Sequence, residues 1–168
     1  MGKYKWIRYF AYTIELLVLF MVQETPIPTF FGAKPVLLIP IALSIAMFES
    51  EKAAMFFGLF SGLLIDFGMG ETLGFHAVLL AVICYYIALI AANLIKTNFL
   101  TAMFTVTATA ASLFFLQWVF FFVLANYQDA VYVLKAHFLP RFCYTVIVMP
   151  IAYYFNRALF NQVRTKEE

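Results

Sequence analysis

The sequence predicts an all-α integral membrane protein, a bundle of six transmembrane helices with both termini on the cytoplasmic side. Three observations carry this expectation. Of the 168 residues, 65% are hydrophobic and 12% charged, with a mean hydropathy of +0.91. A soluble domain is about 45–50% apolar and about 25% charged, and a chain of this length cannot hide such an excess in one water-soluble core. The apolar residues fall into six runs divided by short polar or Pro/Gly-rich breaks, and the Lys and Arg residues gather on one side of those runs. The whole chain reads as one polytopic domain, residues 1–168.

The first run, residues 6–23, ends at Glu24, where Pro26, Pro28, Gly32 and Pro35 stop the helix and restart the chain. It lacks a small-residue cleavage pattern and is expected to stay as the first helix. The second run, 35–48, and the third, 53–67, flank a tight polar turn of Glu49, Ser50, Glu51 and Lys52. Crossing the hydrocarbon core takes roughly 20 helical residues, so these two are short. A five-span arrangement, with the two as a hairpin that does not fully cross, is the alternative. The fourth run, 74–95, closes at Lys96, Thr97 and Asn98, and the fifth covers 99–125. The longest polar connection then leads to the sixth run, 138–160; within it, residues 130–134 could form a short interfacial element.

Charge orients the six spans. Lys3, Lys5, Arg8, Lys52, Lys96, Arg157, Arg164 and Lys166 fall on one side, against Lys34, Lys135 and Arg141 on the other. Lys and Arg accumulate in short cytoplasmic loops, which puts both termini inside and counts against an odd number of spans. Cys84 and Cys143 sit in apolar runs and read as small buried hydrophobes. No block of like charge suggests a nucleic-acid site.

The departure from a plain apolar helix lies in residues 58–74, GLFSGLLIDFGMGETLG. Gly58, Gly62, Asp66, Gly70 and Gly74 are spaced four apart. Gly58 and Gly62 form a small-xxx-small pair suited to close helix packing. Asp66, near the outer end of the third span, reads either as a cap accepting N–H groups of the following turn, Gly68 to Glu71, or as a polar anchor lining a cavity. In the capping reading, Gly68 and Gly70 supply positive φ and Leu73 packs the loop down. Glu15, in the middle of the first span, must face the bundle, be protonated or meet a partner. Arg141, following Pro140, either snorkels to headgroups or pairs with Asp66 or Glu71. His76 and His137 stand as lone histidines. The chain has no HExxH, CxxC, P-loop or GxSxG motif, so no metal, cofactor or enzymatic activity is expected.

The 58–74 block, followed by His76-Ala77 and an apolar helix, resembles MreD, the small polytopic subunit of the bacterial rod-shape (elongation) machinery. Gln23 with Pro26 at the end of the first span, Lys34-Pro35 opening the second and Pro140 opening the sixth look like further family features. The resemblance implies a non-enzymatic scaffold in the bacterial cytoplasmic membrane. It implies partnership with membrane-anchored MreC and, through it, with a SEDS glycosyltransferase, a class B penicillin-binding protein and, indirectly, MreB filaments. It also implies that Gly58, Gly62, Asp66, Gly70, Leu73 and Gly74 shape a surface or cavity receiving the MreC transmembrane helix. The implied fold is similar to the six-helix S-components of energy-coupling-factor transporters. That similarity supplies the alternative function, a substrate-binding subunit of a vitamin transporter. Such a subunit would show an Ala-x3-Ala face on its first helix, where this chain has Ala11 followed by Glu15.

Overall fold

The computed structural model describes residues 2–25, 36–69, 74–93, 99–125 and 129–164. Among them the chain is helical throughout: α1 (Gly2–Glu24), α2 (Leu38–Phe48), α3 (Glu51–Met69), α4 (Phe75–Asn93), α5 (Phe99–Trp118), α6 (Ala130–Val133) and α7 (Leu139–Arg164). α5 continues as a π-helical turn, Val119–Val123, and a second π-helical turn, Leu134–Phe138, joins α6 to α7 without a break. Residues 130–134, expected as a separate interfacial element, are therefore the opening of the last helical run. Pro140 is the second residue of α7, separated from the second π turn by Leu139. A proline lacks the N–H that an inner helical turn requires, and the wider turn before it absorbs the mismatch.

Among the described residues, four helical stretches are long and apolar enough to cross a membrane: Lys5–Glu24, Phe75–Asn93, Phe99–Val123 and Val131–Gln162. α2 is too short for that, and its burial shows why it need not be longer. Every residue from Leu38 to Met47 is buried. α2 is the central post of the bundle, packed against α1, α3, α4, α5 and α7. A helix that is apolar on every side belongs inside protein. Its start is served from outside: the Leu37 N–H donates to Gln23 Oε1 at the end of α1, 2.9 Å away. Pro40 falls in the first turn, where no intrahelical N–H is missed.

Three hydroxyls of α5 are satisfied within the helix itself. Thr105, Thr107 and Ser112 each donate to the carbonyl four residues back, at 2.7–2.8 Å. Such bonds let hydroxyl residues sit on a helix with no polar neighbour. α3 and α4 make the most extensive helix pair in the molecule, and that hairpin positions the candidate site.

Candidate functional site

Gly58 and Gly62 lie one turn apart on the face of α3 turned toward α4. A Cβ at position 58 would stand 2.6 Å from the Leu80 carbonyl oxygen and 2.9 Å from the Cys84 Cβ and Sγ. At position 62 it would stand 2.5 Å from the Ala77 nitrogen and the His76 carbonyl oxygen, and closer still to the Ala77 Cα. Ordinary carbon contacts need about 3.5–4.0 Å. The two glycines thus let the α3 and α4 backbones meet directly. Between them, buried Ser61 donates to the Leu38 carbonyl at 3.1 Å, tying the hairpin to the central post.

Asp66 occupies the next turn and is 1% exposed. Its carboxylate reaches across to the start of α4. Oδ2 accepts from the Gly74 N–H at 2.9 Å and from the Ala77 N–H at 3.2 Å; Oδ1 accepts from the His76 N–H at 3.2 Å and from His76 Nδ1 at 2.7 Å. The first N–H groups of a helix have no intrahelical partner, and α4 has no Ser, Thr, Asp or Asn at its threshold. Asp66 supplies that cap from the neighbouring helix. Its negative charge also lies at the positive end of the α4 dipole.

Three details differ from the sequence reading. Among the described residues the donors to Asp66 belong to Gly74, His76 and Ala77, at the start of the next helix. Gly68 is helical, inside α3, and the positive φ falls on Gly74, at +101°. His76, expected as a lone histidine, is buried and paired with Asp66 through its ring. Gly70 and Leu73, along with Glu71, lie outside the described residues. Above the pair, Phe75 meets the His76 ring edge-on, and the π-helical turn after α5 brings Phe120 and Phe121 onto Phe75 at 6.0 and 5.3 Å between ring centres. The latch is thereby covered with aromatic carbon.

Two further polar contacts bind α1 to the bundle. Arg8, read as a charge flanking the first span, is buried in an ion pair with Glu49 of the α2–α3 turn. Its Nη2 donates to Glu49 Oε2 at 3.0 Å, its Nε faces Oε1, and its guanidinium stacks 5.1 Å above the Phe160 ring of α7. Burial pushes the Glu49 carboxyl up and the Arg8 charge opposes that shift. Farther along α1, Glu15 Oε1 accepts from Asn156 Nδ2 of α7 at 3.1 Å. Arg141 lies half-buried in the first turn of α7, its carbonyl accepting from Thr145 Oγ1 at 2.8 Å.

The spacing of Arg8 and Glu49, forty-one residues apart, gave no sign of their pairing. A signal for His76 was present. A buried carboxylate ten residues before a buried histidine, with a glycine hinge between them, is the pattern of one helix capping the next.

Among the described residues, each side-chain contact of Asp66 joins α3 to α4. Such an arrangement fixes a shape; it offers no nucleophile paired with a free base. Among known proteins, no curated protein and no solved structure matches the chain. A family model described as rod shape-determining protein MreD matches residues 4–162, which takes in most of α1 and of α7 as well as the glycine comb. The hairpin is thus one part of a likeness that runs nearly end to end, and the chain belongs to the MreD family, a membrane component of rod-shape determination.

Proposed function

We propose that this protein is a non-enzymatic scaffold of the bacterial elongation complex, a multi-pass protein of the cytoplasmic membrane with both termini inside. In this reading it receives the transmembrane anchor of an MreC-like protein. Through that protein it acts with a SEDS glycosyltransferase, a class B penicillin-binding protein and, indirectly, MreB filaments. The observation that carries the proposal is the family match over residues 4–162.

The geometry supports a shaping role for the comb. Gly58 and Gly62 are covered by α4, so their small size serves the hairpin itself. Asp66 and Gly74 fix how α4 begins. A hairpin locked in this way presents a constant outer surface to a partner helix, and Gly70 and Leu73 belong to the same proposed motif. Glu15 and Arg141 are secondary candidates for partner contact. No observation favours the vitamin-capture alternative.

The test is co-purification from membranes of cells that make both proteins at native levels. The chain should bring the MreC-like protein with it in near-equal amount, and the isolated chain should carry no stoichiometric vitamin by mass spectrometry. Recovery of a bound vitamin without the MreC-like protein would overturn the proposal.

A further inference from the structure

Between α1 and α7 runs a groove of about 550 Å³. Ile14, Glu15 and Val18 form one wall, Ile151 and Phe155 the other, and Ile41 of α2 lies at its floor. Glu15 is the one polar side chain among the residues that line it. It stands near the midpoint of the Lys5–Glu24 span, about as far from water as a side chain of this helix can be. Apolar walls carry no information here, because lipid covers them as well as a protein would. The polar atoms do carry information.

The hydrogen-bond balance at this point is lopsided. Asn156 is 0% exposed, and its amide nitrogen donates twice, to Glu15 Oε1 and to the Ala152 carbonyl, both at 3.1 Å. Both hydrogens of the amide are therefore spent. Glu15 Oε2 and Asn156 Oδ1 remain, each buried and each without a hydrogen-bond partner. With the Glu15 carboxyl ionised, this pair keeps two acceptors and no donor of its own. In a hydrocarbon setting an unsatisfied polar atom is costly, and acyl chains have no donor to give.

We infer that the α1–α7 groove is a docking site for an apolar transmembrane helix that carries a hydrogen-bond donor side chain at mid-membrane depth. The donor meets Glu15 at the groove wall and corrects the excess of acceptors; the apolar flanks of the same helix cover Ile14, Val18, Ile151 and Phe155. These four are 45%, 54%, 72% and 53% exposed in the isolated chain, so the groove is open along its length to a helix arriving from the side. This inference stands on the groove alone and does not require the rod-complex assignment.

The experiment uses the full chain in phosphatidylcholine vesicles with two dye-labelled synthetic helices of about 20 Leu and Ala residues, one with a central Asn and one with Leu in its place. Association is read by energy transfer, at peptide dilutions where neither peptide self-associates. Polar contacts between membrane helices change association by roughly three- to thirty-fold, and the Asn peptide should bind more tightly by that factor. Glu15→Leu should bring the two peptides to equal binding. Ile151→Trp, at an exposed position that tolerates bulk, should fill the groove and weaken both. Equal binding of both peptides to the native chain would overturn the inference, since it would mean that a proton shared between Glu15 and Asn156 already satisfies the pair. A preference that survives Glu15→Leu, or binding unaffected by Ile151→Trp, would overturn it as well.

Discussion

Gly62→Ala is the sharpest probe of the hairpin, because its sign is opposite to what helix propensity alone dictates. In an open helical position, replacing glycine by alanine stabilises by about 0.5–1 kcal/mol. At position 62 the new Cβ would lie 2.5 Å from the Ala77 nitrogen and the His76 carbonyl oxygen, where about 3.5 Å is needed. The two helices must separate by about 1 Å to admit it. Overpacking of this kind costs about 1–3 kcal/mol. The separation also acts one turn along the same face, at Asp66. Its bond to the Gly74 N–H, now 2.9 Å, would stretch beyond hydrogen-bonding range, and hydrogen bonds to a charged group are worth about 1.5–3 kcal/mol each. A net loss of roughly 2–5 kcal/mol is expected, measured by reversible unfolding in mixed micelles.

Gly68→Ala is the matched control on the same helix. There the Cβ meets only side-chain ends, the carboxyl of the exposed, flexible Glu24 and a Phe20 ring carbon at 3.3 Å, which can move aside, so stability should stay within about 0.5 kcal/mol. The clash at position 62 is with backbone, so trimming the neighbour with Ala77→Gly should give no rescue, and the double variant should be additive within about 0.5 kcal/mol. Should Gly62→Ala prove as stable as Gly68→Ala, the direct backbone contact between α3 and α4 would be refuted.

Other outcomes follow from the same contacts. Asp66→Asn places amide hydrogens against the N–H groups of α4 and should cost about 1–3 kcal/mol; a double-mutant cycle with His76→Ala should show coupling above about 0.5 kcal/mol, and strict additivity would refute the latch. Arg8→Ala leaves Glu49 buried without its partner and should cost about 3–5 kcal/mol, much of it recovered when Glu49→Leu is added to Arg8→Met; equal stability of the single and double variants would count against the pair. Gln23→Leu removes the acceptor of the Leu37 N–H and should lower the unfolding free energy by about 1–3 kcal/mol. Thermal scans in one detergent would rank all of these against the unaltered chain.

The helical rods were legible because their ends are marked by prolines, polar turns and charges, signals that survive in any solvent. Packing was far less so. In water the buried face of a helix announces itself as an apolar stripe; in lipid the outward face is equally apolar and the stripe vanishes. Hence α2 read as a span too short to cross, when it is the buried post around which the others stand. The glycine pair was visible by its spacing, and close packing was the natural reading, but the sequence could not say that α4 is the helix it meets. The sequence shows Asp66 as a cap but not that the first turn of α4 supplies donors to it. Local turns are the commonest partners of such a residue, and the return of α4 alongside α3 is what adds Gly74, His76 and Ala77 to its reach.

Polar residues carry the positional information that apolar ones lose, and α1 shows this best. Of the four described helical stretches long and apolar enough to cross a membrane it is the least buried, so packing alone holds it least. It is fastened by hydrogen bonds at three levels: Arg8 to Glu49, Glu15 to Asn156, and Gln23 to the Leu37 N–H. These positions recur every seven or eight residues, which returns them to one side of a helix of 3.6 residues per turn. Arg8, Glu15 and Gln23 therefore form a polar seam along the face that meets α2 and α7, with buried Tyr12 and Leu16 between them. Weighed singly, Arg8 is a flanking charge and Glu15 an anomaly; taken as a series, they define which side of α1 faces inward. Two levels of the seam are closed by their partners within the chain. The middle level, where Glu15 and Asn156 keep two spare acceptors, is the one that a donor from another helix can complete.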